Sequence, residues 1–126
     1  MDLTACPLAH GDNIDGLCSW CGSRLPRGRA RWCSDDCSHA WAENHIWTTA
    51  RKARLKRDAH RCSICGSTDA LHVHHDPPVN PRIGYRRSCA HHQDRLRTLC
   101  AAHHVAVHVA MRAPAGTVTQ LAMIAA

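Results

Sequence analysis

The chain has 126 residues, with 16 Lys and Arg against 10 Asp and Glu, for a formal charge of +6. Aromatic residues make up only 4% of it and Phe is absent, so a large apolar core is excluded and staples are expected to hold the fold. No run approaches the roughly 20 apolar residues of a membrane span. Met1-Asp2-Leu3-Thr4 opens without a basic and apolar signal segment, so an intracellular, cytoplasmic protein is expected. The staple candidates are nine cysteines and twelve histidines. In such a setting Cys-x2-Cys pairs point to zinc rather than to disulfides.

Residues 1–16 read as a polar lead-in, with Cys6 and His10 as a surface thiol and imidazole because no ligand pair is left over for them. Next come Cys18-Ser19-Trp20-Cys21, eleven intervening residues, and Cys33-Ser34-Asp35-Asp36-Cys37. Four thiolates at this spacing suit tetrahedral zinc. Gly22, Pro26 and Gly28 mark the turns of a short hairpin. Ser34 is placed to N-cap a helix carrying Asp35, Asp36 and Cys37 in its first turn. The arrangement predicted is a treble-clef-like finger with four cysteine ligands.

Residues 35–59 read as helix with a break near Thr48-Thr49, its apolar stripe formed by Trp41, Ala42, His45 and Ile46. Trp20, Trp32, Trp41 and Trp47 are expected to pack finger against helix. Basic residues fall in two runs. One is Arg24, Arg27, Arg29 and Arg31, and the other is Arg51, Lys52, Arg54, Lys56 and Arg57. The second leads straight into Cys62-Ser63-Ile64-Cys65. Residues 1–48 form the finger with its helix and 49–126 a second domain. With no Pro/Gly-rich linker between them, one rigid unit is expected.

Leu71-His72-Val73-His74 alternates apolar and imidazole side chains, a strand pattern that sends His74 and His75 to opposite sides. Residues 76–93 form a loop, in which Arg82, Arg86 and Arg87 would contact phosphates. Cys89, His91 and His92 read as part of that loop rather than as a metal site. His39, His45, His60 and His72 lack ligand spacing and read as surface or packing residues. Beyond the loop, Cys100 and His103 are spaced i, i+3, and His104 and His108 i, i+4. On one helix the two pairs point about 90° apart, so a short helix could serve two metals. Cys62, Cys65, Cys100 and His103 make a second structural zinc set, although a register with His104 in that set and His103 free also fits. His74, His104 and His108 make another, open site, with His75 beside it as a candidate general base. The helix runs to Arg112 and is ended by Ala113-Pro114-Ala115-Gly116; residues 117–126 are apolar enough for a short packing helix, with fraying as the alternative.

This segment resembles the HNH endonucleases. The pattern is carried by Cys62-x2-Cys65, His74-His75 and Leu96-x2-Leu99-Cys100-x2-His103-His104. Arg95, His104 and His108 follow a spacing similar to the bacterial DNase toxins of the same superfamily. The likeness covers roughly residues 50–112. It implies a zinc-stapled ββα-metal core, with His74, His104 and His108 as metal ligands and His75 as base. The cysteine finger ahead of it resembles those found before some bacterial and phage HNH domains. One position departs: Arg95 stands where the family has a loop-bracing Asn, and Asp94 is its neighbour.

The expected fold is therefore small, α+β and metal-stapled: a four-cysteine finger, a connecting helix and a ββα-metal HNH core. Two structural zinc ions are expected. A catalytic divalent metal is expected too, with imidazole ligands favouring Mn, Co, Ni or Zn and the resemblance adding Mg. Two basic runs beside a phosphodiesterase site favour a polyanionic partner, most simply double-stranded DNA. By resemblance the products carry a 5′-phosphate and a 3′-hydroxyl. The rival expectation is a catalytically inactive zinc-bound module for DNA or protein binding, to which Arg95 lends support.

Overall fold

The computed structural model describes Cys6 and residues 15–80 and 87–112. These form a small α+β structure. Two helices come first, α1 (Asp35–His45) and α2 (Trp47–Arg57). They are followed by strand β1 (Leu71–His75), strand β2 (Leu96–Cys100) and helix α3 (Ala101–Arg112). The strands pair antiparallel, Leu71 opposite Cys100 and His75 opposite Leu96.

The sequence stretches Cys-Ser-Trp-Cys-Gly-Ser at 18–23 and Cys-Ser-Ile-Cys-Gly-Ser at 62–67 fold into the same knuckle. In each, the amide of the first cysteine donates to the second serine's carbonyl, Cys18 to Ser23 at 2.7 Å and Cys62 to Ser67 at 2.8 Å. The glycine amide donates back to the first cysteine's carbonyl. Gly22 and Gly66 both sit at φ +75°, a left-handed conformation that glycine adopts without a Cβ clash. Each knuckle then docks the same way. Ser19 donates to the Arg31 carbonyl and Ser63 to the Thr98 carbonyl, both at 2.8 Å, two residues ahead of Cys33 and Cys100 respectively. In the first finger Leu17 and Arg24 form an isolated antiparallel bridge.

Ser34 caps α1, its hydroxyl accepting from the Cys37 amide at 3.2 Å, with Asp35 and Asp36 in the first turn, where acidic groups complement the helix dipole. The helix breaks at Ile46 rather than at Thr48-Thr49. Ile46 is extended, at φ −105° and ψ 117°. Just before it, the Asn44 side chain donates to the Ala40 carbonyl and His45 Nδ1 to the Trp41 carbonyl, local bonds that compete with the helical ladder. The break strands the Glu43 carbonyl, and the Gln93 side chain satisfies it at 2.6 Å while also reaching the Ala50 carbonyl at 2.9 Å. Since α2 runs through residues 48 and 49, the expected domain boundary falls inside a helix.

Among the described residues the packed apolar core lies in two patches. Ala50, Leu55, Val73 and Leu96 are buried together, flanked by Trp47 and Leu71. Cys62, Leu99, Cys100 and Val107 form the second, flanked by Ile64 and Leu71. Leu71 bridges them. Two expectations are corrected. Cys100 ends β2 instead of belonging to the helix, so strand and helix share the ligand positions. The 76–93 segment is not wholly irregular, since Cys89–His91 forms a single 3-10 turn and Gln93–Arg95 another. Residues 117–126, His10, Arg82 and Arg86 lie outside the described residues. Among the described residues no helix is long and apolar enough to cross a membrane.

Candidate metal centres

Among the described residues four groups of Cys and His side chains converge, each with its ligand atoms within 4.8 Å of one another. They are Cys18, Cys21, Cys33 and Cys37; Cys62, Cys65, Cys100 and His103; His74, His104 and His108; and Cys6, His45, Cys89 and His92. All the cysteines are free thiols. Cys21 and Cys33 sulfurs lie 3.6 Å apart, Cys33 and Cys37 3.5 Å, and Cys65 and Cys100 3.8 Å. These gaps are far longer than the roughly 2.05 Å of a disulfide. They lie near the edge of a tetrahedron drawn with zinc–sulfur bonds of about 2.3 Å, which is about 3.8 Å. These clusters could hold metal ions, and their donor set of thiolate and imidazole suits zinc.

In the second group His103 Nδ1 is 3.7 Å from the Cys62 sulfur and 3.2 Å from that of Cys100. His103 rather than His104 completes that set, which decides between the two registers. Within each set the thiols differ: Cys18 and Cys62 are held toward the thiolate, while Cys33, Cys37 and Cys65 are raised. Burial works against the Cys18 thiolate, but the backbone amides of Cys21, Cys33 and Trp20 outweigh it and bring the thiol down to about 6. Cys62 likewise resists burial through the amides of Cys65, Cys100 and Ile64, and falls to about 6. Cys37 goes the other way, burial and then Cys33 pushing it up to about 12. A cation at the centre would remove that opposition.

The three-histidine group sits where β1 meets α3. The i, i+4 spacing on α3 brings His104 and His108 Nε2 to 3.0 Å. His74, on the buried side of β1, faces both rings, with centroids 5.6 and 5.1 Å away. His74 Nε2 is buried with no hydrogen-bond partner, a costly state for a ring nitrogen unless something accepts its lone pair or proton. Burial and then the His108 and His104 charges push His74 down to about 4. His104 is lowered by burial, then by His108 and His72. Neutral rings keep their lone pairs for a metal. Exposed His72 stacks on His104 at 4.9 Å, a packing role.

His75 points the other way round the strand and has a different environment. Its ring stacks on Trp47 at 4.6 Å, and its Nε2 lies 2.9 Å from His91 Nδ1. Burial, then His91 and His74, push it down to about 4. A pocket of about 140 Å³ opens over the site, lined by His74, His75, His104 and His108 with Val73, Pro78 and Val79 as apolar walls. His75 thus borders the same pocket as the three-histidine group, while its ring packs on Trp47 and His91. His91, read from the sequence as a loop residue, is the ring that orients His75.

Loop bracing falls to residues that no sequence motif marked. The Gln93 amide N–H donates to Asn44 Oδ1 at 2.9 Å, adding to the side-chain bonds from Gln93 across the α1–α2 break. Arg95 is exposed and reaches the Cys89 carbonyl at 3.4 Å.

The basic residues divide. Arg51, Lys52 and Lys56 are exposed on α2. Arg57 is exposed too, but pairs with Glu43 at 3.5 Å. Arg54 is turned inward, donating to the Gln93 carbonyl at 2.9 Å and pairing with Asp58 at 3.3 Å, so its guanidinium serves the fold. Arg29 pairs with Asp35 at 3.1 Å. Arg31 lies over the Trp32 and Trp41 rings, and Arg87 over Trp41 at 5.8 Å. Trp41 is buried against Trp32 and His45, the packing role expected of the tryptophans.

Cys6 and His45 depart most from expectation. Both are fully buried, and they meet Cys89 and His92 instead of lying apart as surface and packing residues. Burial lowers His45 to about 4 and, with Cys6 adding to it, raises Cys89 to about 11. The only local signal was Cys89-x2-His92.

Compared with protein-family models, curated proteins and solved structures, the chain matches none of them.

Proposed function

We propose that this chain is a metal-dependent endonuclease of the HNH class that hydrolyses phosphodiester bonds in duplex DNA. The observation that carries the reading is the shared pocket: three convergent imidazoles, one with an orphaned buried nitrogen, and a fourth histidine, outside the metal set, bordering the same pocket. In this reading β1, β2 and α3 are a ββα-metal core. Residues 1–48 are a four-cysteine finger domain and 49–126 the nuclease domain. Two zinc ions hold Cys18, Cys21, Cys33, Cys37 and Cys62, Cys65, Cys100, His103.

His74, His104 and His108 would hold one divalent cation, Mg, Mn, Co, Ni or Zn. Bound there, it supplies positive charge against the charge that builds at phosphorus and on the leaving oxygen. His75 accepts a proton from the attacking water. The role requires the tautomer in which His75 Nε2–H donates to His91 Nδ1, 2.9 Å away, leaving the Nδ1 lone pair for that proton. Trp47 holds the ring face and keeps bulk water off it. Arg51, Lys52 and Lys56 contact phosphates, joined by Arg57 when it releases Glu43, and by Arg82, Arg86 and Arg87 from the loop.

Supercoiled plasmid incubated with the protein and Mn or Mg should be nicked or linearised, and chelator should abolish this. A second reading, a catalytically inactive DNA- or protein-binding module, is favoured by Arg95 at the family's Asn position. It predicts retained plasmid with no cleavage in either metal.

A further inference from the structure

We propose that Cys6, His45, Cys89 and His92 form a third structural zinc site, with two cysteine and two histidine ligands, that fastens the start of the chain and the loop before β2 to the end of α1. The site stands apart from the three-histidine pocket, and the proposal does not depend on the nuclease reading.

The geometry points to a metal rather than to hydrogen bonding. His45 Nδ1 lies 2.9 Å from the Trp41 carbonyl. A carbonyl can only accept, so Nδ1 carries the proton and Nε2 of the neutral ring presents a bare lone pair. Backbone anchoring of the second ring nitrogen is how metal-ligating histidines are held. Two groups crowd that single lone pair: the Cys6 sulfur at 3.2 Å and His92 Nε2 at 3.0 Å. One lone pair can take one proton donor, so His92 and Cys6 compete for it, and Cys6 is left with only a weak thiol contact to Cys89, in a site where Cys6 and His45 are fully buried and His92 is 2% exposed. A cation at the centre accepts from all four at once. Two thiolates and two neutral imidazoles also cancel the charge of a zinc ion, which suits a buried site.

The local structure delivers the ligands. Ser88 Oγ accepts from the Ala90 amide, opening the 3-10 turn of Cys89–His91. At three residues per turn, positions i and i+3 eclipse, so Cys89 and His92 face one point. The Ser88 amide donates to the His45 carbonyl at 3.0 Å, pinning that turn to the end of α1. His91 lies between the two loop ligands, so a metal there also holds the ring that meets His75.

The test is cadmium NMR of the full chain produced with cadmium in place of zinc, where each site gives a resonance that moves downfield with its number of thiolates. Three thiolate-bearing resonances are expected, from the four-, three- and two-cysteine groups, with only the two-thiolate signal lost in Cys6→Ala and in Cys89→Ala. A parent spectrum with four- and three-thiolate signals alone overturns the proposal, whether or not the variants fold. So does a two-thiolate signal that survives both substitutions.

Discussion

His74 and His75 are chain neighbours with opposite surroundings, because a strand sends successive side chains to opposite faces. One meets His104 and His108, the other Trp47 and His91. Their substitution should therefore differ in kind. His75→Ala should leave the metal bound and slow cleavage by roughly 10²–10⁴-fold, the cost of one positioned base. His104→Ala should weaken metal binding as well, and excess Mn should partly restore its rate but not that of His75→Ala. Metal titration of the two variants, with plasmid cleavage at each concentration, separates them. Loss of metal in His75→Ala with retention in His74→Ala would exchange the two roles. Gln93 carries a structural prediction at the same scale. Gln93→Leu leaves the Glu43 carbonyl at the helix break without its donor, while the Ala50 carbonyl keeps its helical bond, so urea denaturation should show a loss of about 1–3 kcal/mol for the one orphaned group.

Among the elements, α2 shows how sequence pattern and packing diverge. Its five basic residues look alike in the sequence, yet the helix turns Arg54 toward the Gln93 carbonyl and Asp58 and leaves Arg51, Lys52 and Lys56 in solvent. Lys52→Ala and Lys56→Ala should each lower the salt dependence of DNA binding by roughly one unit of log-log slope. Arg54→Ala should lower the denaturation midpoint while leaving that slope unchanged. A salt-insensitive parent would contradict the phosphate-contact assignment and favour the interaction-module reading. At the sheet, Leu99 is fully buried between the second knuckle and α3, and Leu99→Ala should cost about 2–5 kcal/mol in the same denaturation measurement.

At the scale of the whole molecule, the two core patches among the described residues hold four buried residues each, a thin core of the kind that relies on staples. The Cys/His groups join what those patches do not. One closes the finger on itself, and another ties the second knuckle to the end of β2 and the start of α3. Structural zinc in small fingers contributes on the order of 10–16 kcal/mol of apparent binding energy that is also folding energy. Prolonged treatment with a strong chelator should therefore abolish helical circular dichroism and shift the emission of the four tryptophans, and zinc should restore both. A chain that keeps its spectrum with no metal detectable would show that these groups are ordinary thiols and imidazoles.

Short-range features were legible in the sequence. The two Cys-x2-Cys-Gly-Ser knuckles, the Ser34 cap, the i, i+4 pair on α3 and the β1 alternation are all set by local backbone geometry, which a few consecutive residues dictate. The grouping of His74 with His104 and His108 was also within reach, because a strand and a helix of known period leave few ways to meet. Tertiary structure decided the rest. It put the break at Ile46, where Gln93 supplies the missing donor. It chose His103 over His104, turned Arg54 inward and set His91 against His75. It also gathered Cys6, His45, Cys89 and His92 from across the chain, with 39 residues separating Cys6 from His45 and 47 separating His45 from His92. No spacing rule links residues so far apart. They meet because α1 packs against the turn at Cys89–His91, a contact specified by the whole fold rather than by any one stretch of it.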